Sequence, residues 1–230
     1  MTTSNLLPVI ELSVGHDPKA SVIWMHGLGA DGNDFVPVVK ELGLPEHLAV
    51  RFIFPHAPLR PVTINTGYMM RAWYDILGLD SIERKVDEAG IRTSQRAIEA
   101  LIAKEEARGI APEKLVLAGF SQGGAIALQT GLRYPKRLAG IVGLSTYLAL
   151  AESLPSEAHP ANRGIPIFLG HGKQDNVIPF TAGANSKERL TELGYRVQWH
   201  EYPMAHTVSM EEITDIGRWL AARIADDGSQ

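Results

Sequence analysis

The chain has 230 residues, 45% of them hydrophobic and 21% charged, with a formal net charge of −4. That length suits one α/β domain able to bury a core unaided, and a slightly acidic chain with no long basic run excludes nucleic acid as an expected partner. Cysteine is absent, which excludes disulfides, thiolate metal sites and a cysteine nucleophile.

Residues 1–13 carry no basic n-region and only a short apolar patch at 6–10, unlike a signal peptide. The longest uncharged apolar stretch, 138–151, is interrupted by Gly, Ser and Thr and is too short to span a bilayer. The expectation is a cytoplasmic protein of a single domain with no integral membrane segment.

Residues 8–13 suit a first edge strand, and 20–25 (Ala-Ser-Val-Ile-Trp-Met) a buried one. The run His26-Gly27-Leu28-Gly29-Ala30-Asp31-Gly32 is too glycine-rich for a helix interior, and Asn33 or Asp34 then offers an N-cap for a helix to about Leu42. A strand is expected over 50–54. Residues 55–87 read as a long irregular loop rich in Pro, Met, Trp, Tyr, Ile and Leu, including Leu79; such loops commonly wall a binding site, but the expected fate of most of these residues is to bury their own side chains as a small satellite core. An amphipathic helix follows over 88–108, with Ile91, Ile98, Leu101 and Ile102 on one face.

Next comes the stretch on which the reading turns. Leu115, Val116 and Leu117 suit a strand covered on both faces, and 125–132 is rich in helix formers. Between them stands Gly119-x-Ser121-x-Gly123, the pattern of a sharp strand-to-helix turn that projects a serine hydroxyl from the top of a sheet. Beyond it, strands are expected at 139–144 and 165–169, with an irregular excursion at 145–164 between them. A helix is expected over 180–193, ended by Gly194, and a strand over 195–202. Ser209-x-x-Glu212 is a capping-box pattern opening a last helix with Ile213, Ile216, Leu220 and Ile224 on one face.

Strands alternating with helices imply an α/β fold with a mostly parallel sheet. Ligands bind such sheets at the carboxyl ends of the strands. Ser121, Asp175 and His206 each fall just after an expected strand, in the chain order Ser…Asp…His of an α/β-hydrolase. A serine hydroxyl needs a base to remove its proton, and histidine serves when a carboxylate holds its tautomer. The oxyanion of acyl transfer needs backbone donors: Gln122 N–H directly follows the serine, and Leu28 N–H lies in the one upstream glycine-rich turn. His26 and His171 read as loop-holding residues, and His56 as bonded to nearby backbone. No histidine spacing suggests a metal, so none is expected.

Taken together, Gly119-Phe120-Ser121-Gln122-Gly123-Gly124, His26-Gly27-Leu28-Gly29, Pro55-His56-Ala57-Pro58, Trp73-Tyr74-Asp75, Asp175 with Val177 and Pro179, and Met204-Ala205-His206 resemble the acyl-protein thioesterase and carboxylesterase family over about residues 21–220. The resemblance implies an α/β-hydrolase with a minimal cap and no cofactor, acting on a small acyl ester or thioester, as monomer or homodimer. It implies a triad of Ser121, Asp175 and His206, with Leu28 and Gln122 as oxyanion donors. It places an acyl-groove wall at Trp73 and Leu77, with Tyr147 standing where relatives often carry Trp, and Val177 and Phe180 as further wall residues. Carboxylesterase action on short to medium acyl chains is the expectation. The alternatives are an acyl-protein thioesterase or lysophospholipase with the same triad, and a non-catalytic binding protein on the same fold.

Overall fold

The computed structural model describes residues 6–78 and 87–225. Seven strands form one sheet. β1 (Val9–Val14) is an edge strand, antiparallel to its neighbour β3 (Val50–Pro55), and β2 (Ala20–Met25) pairs parallel with β3. Every residue of β2 is buried, as a strand covered on both faces requires. The other strands are β6 (Leu115–Phe120), β7 (Gly140–Leu144), β8 (Ile167–Gly172) and β9 (Val197–Tyr202), all parallel, in the order β1-β3-β2-β6-β7-β8-β9. The chain leaves β2 toward β3 on one side, whereas it leaves β6 toward β7 on the other. The β2–β6 pair is therefore the topological switch point, where a crevice opens at the carboxyl ends.

Helices cover both faces. α2 (Glu88–Ala107) and α3 (Gln122–Arg133) pack on one side with Ile91, Ile98, Leu101 and Leu128 inside. On the other, α1 (Val38–Glu41) and α6 (Met210–Ala225) close over Trp24, Phe52, Phe168 and Trp219. Burying a side chain of this size stabilises by about 1.5–3 kcal/mol, so β2 and β6 form a rigid base for whatever their carboxyl ends carry. α5 (Phe180–Glu192) packs on β8 and β9, and a single turn, α4 (Leu154–Glu157), lies in the excursion after β7.

Three local expectations differ from the structure. The helix expected from Asn33 or Asp34 shrinks to α1: Asp31 takes the Asn33 N–H at 2.8 Å, the chain turns through Phe35, and Pro37 occupies the N-cap. The loop expected over 55–87 contains a two-stranded hairpin, β4 (Leu59–Val62) with β5 (Tyr68–Arg71); Leu79 lies outside the described residues. The capping box is half made. Ser209 Oγ accepts the Glu212 N–H at 3.2 Å, but the Glu212 carboxyl enters the core with both oxygens unpartnered. Burial, with the Asp215 charge, pushes this acid up to about 8, against the weaker pull of a nearby Ser209 N–H that makes no hydrogen bond to it.

Candidate active site

Ser121 sits at the turn between β6 and α3 with φ 54° and ψ −120°, a strained conformation for a residue with a side chain. Its surroundings hold it there. Ser121 N–H donates to Leu144 O at 2.8 Å, and Thr146 Oγ1 donates to Ser121 O at 2.7 Å. The flanking glycines are a matter of space: a Cβ at Gly119 would meet the Gly123 backbone, and one at Gly123 would meet the Met25 and His26 carbonyl oxygens. The start of α3 thus lies directly against the end of β2.

Asp175 follows β8. Its Oδ1 accepts the Val177 and Ile178 N–H groups, each at 2.9 Å, and its Oδ2 accepts His206 Nδ1–H at 2.7 Å. The Asp175 side chain is fully buried and that of His206 is 15% exposed. Because Nδ1 is committed to the carboxylate, the ring carries its proton there and leaves Nε2 as the basic edge. Phe120 lies against the His206 ring, with centroids 4.7 Å apart. His171, buried behind Asp175, donates Nε2–H to Ile178 O at 2.9 Å and stands 3.5 Å from Asp175 Oδ2.

The glycine-rich loop after β2 is held through its carbonyls. Ala57 N–H donates to His26 Nε2 at 3.0 Å, which fixes the proton on Nδ1; Nδ1 in turn lies 2.7 Å from Gly27 O. A trans peptide sets its N–H opposite its C=O, so anchoring Gly27 O directs the Leu28 N–H. Burial holds His26 down to about 4, and the ring is neutral at ordinary pH. Neither Leu28 N–H nor Gln122 N–H has a protein acceptor among the described residues. Two unpartnered N–H groups beside a projecting serine are what an oxyanion requires.

A pocket of about 280 Å³ collects these groups. Ser121, His206, Leu28 and Gln122 all line it, with Tyr74, Ile76, Tyr147 and Val177 among the other lining residues. The Tyr74 and Tyr147 hydroxyls are 2.8 Å apart. Three expected wall residues stand outside the lining. Trp73 is completely buried and donates its indole N–H to His26 O at 2.8 Å. Leu77 is 43% exposed, and its neighbours Ile76 and Gly78 line the pocket instead. Phe180 packs edge-on against His171 and Trp199. The Gln122 side chain carries a role that no motif announces: Oε1 accepts Trp73 N–H and Nε2 donates to Tyr74 O, both at 2.8 Å.

The phospholipase/carboxylesterase family model matches residues 9–224. Acyl-protein thioesterase 1 of Neurospora crassa is 41% identical, over 92% of this chain and 91% of its own. A probable carboxylesterase of Oryza sativa is 34% identical, over 94% of this chain and 82% of its own. The crystal structure of Zea mays acyl-protein thioesterase 2 superposes with a TM-score of 0.84 at 29% identity, covering 95% of this chain and 99% of that one. An elbow serine at the switch point of an α/β-hydrolase sheet and a family match spanning nearly every described residue lead to one conclusion: the chain belongs to the phospholipase/carboxylesterase family.

Proposed function

We propose that this hydrolase cleaves carboxylic esters by two-step acyl transfer, with Ser121 as nucleophile, His206 as base and Asp175 as its orienting carboxylate. The observation that carries this reading is the 2.7 Å His206–Asp175 bond, with His206 lining the same pocket as the strained Ser121. His206 Nε2 takes the Ser121 proton as Oγ attacks the ester carbonyl. The Leu28 and Gln122 N–H groups receive the oxyanion. His206 then gives that proton to the leaving oxygen or sulfur, and the acyl group stays on Ser121. Water, deprotonated by His206, attacks the acyl-enzyme; as the tetrahedral state collapses, His206 returns the proton to Oγ.

The apolar lining from Tyr74, Ile76, Tyr147 and Val177 supports an acyl-binding role, and we place short to medium chains there. Each buried methylene adds about 0.8 kcal/mol of binding until the pocket ends. A second reading has support from the relatives: the Gibberella zeae and Neurospora crassa proteins are acyl-protein thioesterases, and on this reading thioesters join oxygen esters as substrates. The test is a matched series of oxygen esters and thioesters of graded acyl length, assayed with wild type and Ser121→Ala. Serine-dependent rates that peak on short or medium oxygen esters support the first reading. A peak on long thioesters replaces it with the second, and serine-independent rates overturn both.

A further inference from the structure

Trp73 stands outside the lining of the Ser121 pocket, yet it touches both halves of the oxyanion site. Its indole N–H donates to His26 O at 2.8 Å, and its backbone N–H donates to Gln122 Oε1 at 2.8 Å. The Ser94 hydroxyl binds its carbonyl oxygen. Its ring lies beside that of His26, with centroids 5.3 Å apart. Two further bonds extend the same segment: Gly29 N–H donates to Arg71 O at 2.9 Å, and Gln122 Nε2 donates to Tyr74 O at 2.8 Å. Residues 71–74 therefore hold the loop carrying the Leu28 N–H at both ends. They also grip the side chain of the residue that supplies the other N–H.

We propose that Trp73 is the positioning residue of the oxyanion hole, setting the Leu28 donor against the Gln122 donor through its indole N–H and its backbone N–H. This rests on the reading of Ser121 as nucleophile. The peptide planes give the reason. The indole fixes the His26 carbonyl, and the next carbonyl, Gly27 O, is fixed by His26 Nδ1. With both planes held, the Leu28 N–H has one direction. Without the indole N–H, a buried carbonyl oxygen loses its donor, and the peptide has reason to turn toward another. A hole whose donors drift apart still binds substrate but holds the transition state less well.

Trp73→Phe removes the N–H and keeps an aromatic ring in the core. The expected result is a fall in kcat of about 10–100-fold with KM nearly unchanged, since a mutation remote from the reacting atoms that misplaces them by about 1 Å can cost up to about 100-fold. Affinity for an alkyl trifluoromethyl ketone, whose adduct with Ser121 puts an oxyanion in the hole, should fall by a similar factor. Affinity for the matching alkyl alcohol should not. Gln122→Met keeps its backbone N–H and loses the Trp73 acceptor; it should show the same split and decides the matter if Trp73→Phe does not fold. Unchanged kcat and ketone affinity in the folded variants would overturn the proposal, as would equal losses of ketone and alcohol affinity. Wild-type hydrolysis independent of Ser121 would instead remove the reading on which it rests.

Discussion

Glu212 offers a sharp test of how the core is balanced. The residue is 0% exposed, both carboxyl oxygens lack a partner, and the carboxyl sits where a Cβ on Gly170 would be. Its acid is pushed from the ordinary 4.5 up to about 8. The folded state therefore keeps a proton that the unfolded chain releases. Below pH 4.5 both states are protonated and nothing is lost; between 4.5 and about 8 stability falls as pH rises; above that the loss is complete. The full gap corresponds to at most about 5 kcal/mol, a large share of the 5–15 kcal/mol that holds a typical protein folded. Glu212→Gln keeps the shape and cannot ionise. Urea unfolding at pH 5, 7 and 9 should show the variant close to wild type at pH 5 and more stable by several kcal/mol at pH 9, with similar m-values. Parallel loss of stability in both proteins across that range would refute the reasoning.

Other consequences follow from the same geometry. Asp175→Asn should lower kcat by about 10⁴-fold, because the amide no longer fixes the His206 proton on Nδ1, while circular dichroism stays native. Arg133 is buried against Glu157 at 2.7 Å, and Glu157→Gln should cost about 3 kcal/mol by leaving that guanidinium without its charge partner, read by urea denaturation. Burial opposes ionisation of Glu157, but hydrogen bonds from Arg92, Arg133 and Ser153 outweigh it and hold the acid down to about 2. Its stabilisation is therefore present above 4.5 and is lost as pH falls toward 2, a trend the variant should lack in acid titration.

The parts of the fold legible in the sequence are those set by local pattern. β2 and β6 are apolar runs and appear where expected, and the helix of Ile91, Ile98, Leu101 and Ile102 buries that face. The hairpin β4–β5 was hidden because Pro61 interrupts one strand while Leu59, Tyr68 and Met69 are exposed, so no alternation marks it. Ser121, Asp175 and His206 announce themselves by following strands that share an edge. Trp73 does not: the family resemblance implies a groove wall there, and the apolar loop around it implies only burial. Its actual partners, His26 and Gln122, lie 47 and 49 residues away, a pairing that spacing cannot encode. Glu212 misleads for a similar reason, since the capping pattern is local but the space its carboxyl fills is left by Gly170, 42 residues earlier in β8.

The central claim is that Ser121 is the nucleophile activated by His206. Its most direct test is mass spectrometry of the intact protein after exposure to a fluorophosphonate, followed by peptide mapping, with wild type beside His206→Ala. The expected result is one adduct, on Ser121, formed rapidly in wild type and slower by orders of magnitude without the histidine. An adduct on another residue, or labelling of Ser121 at the same rate in both proteins, would contradict the account.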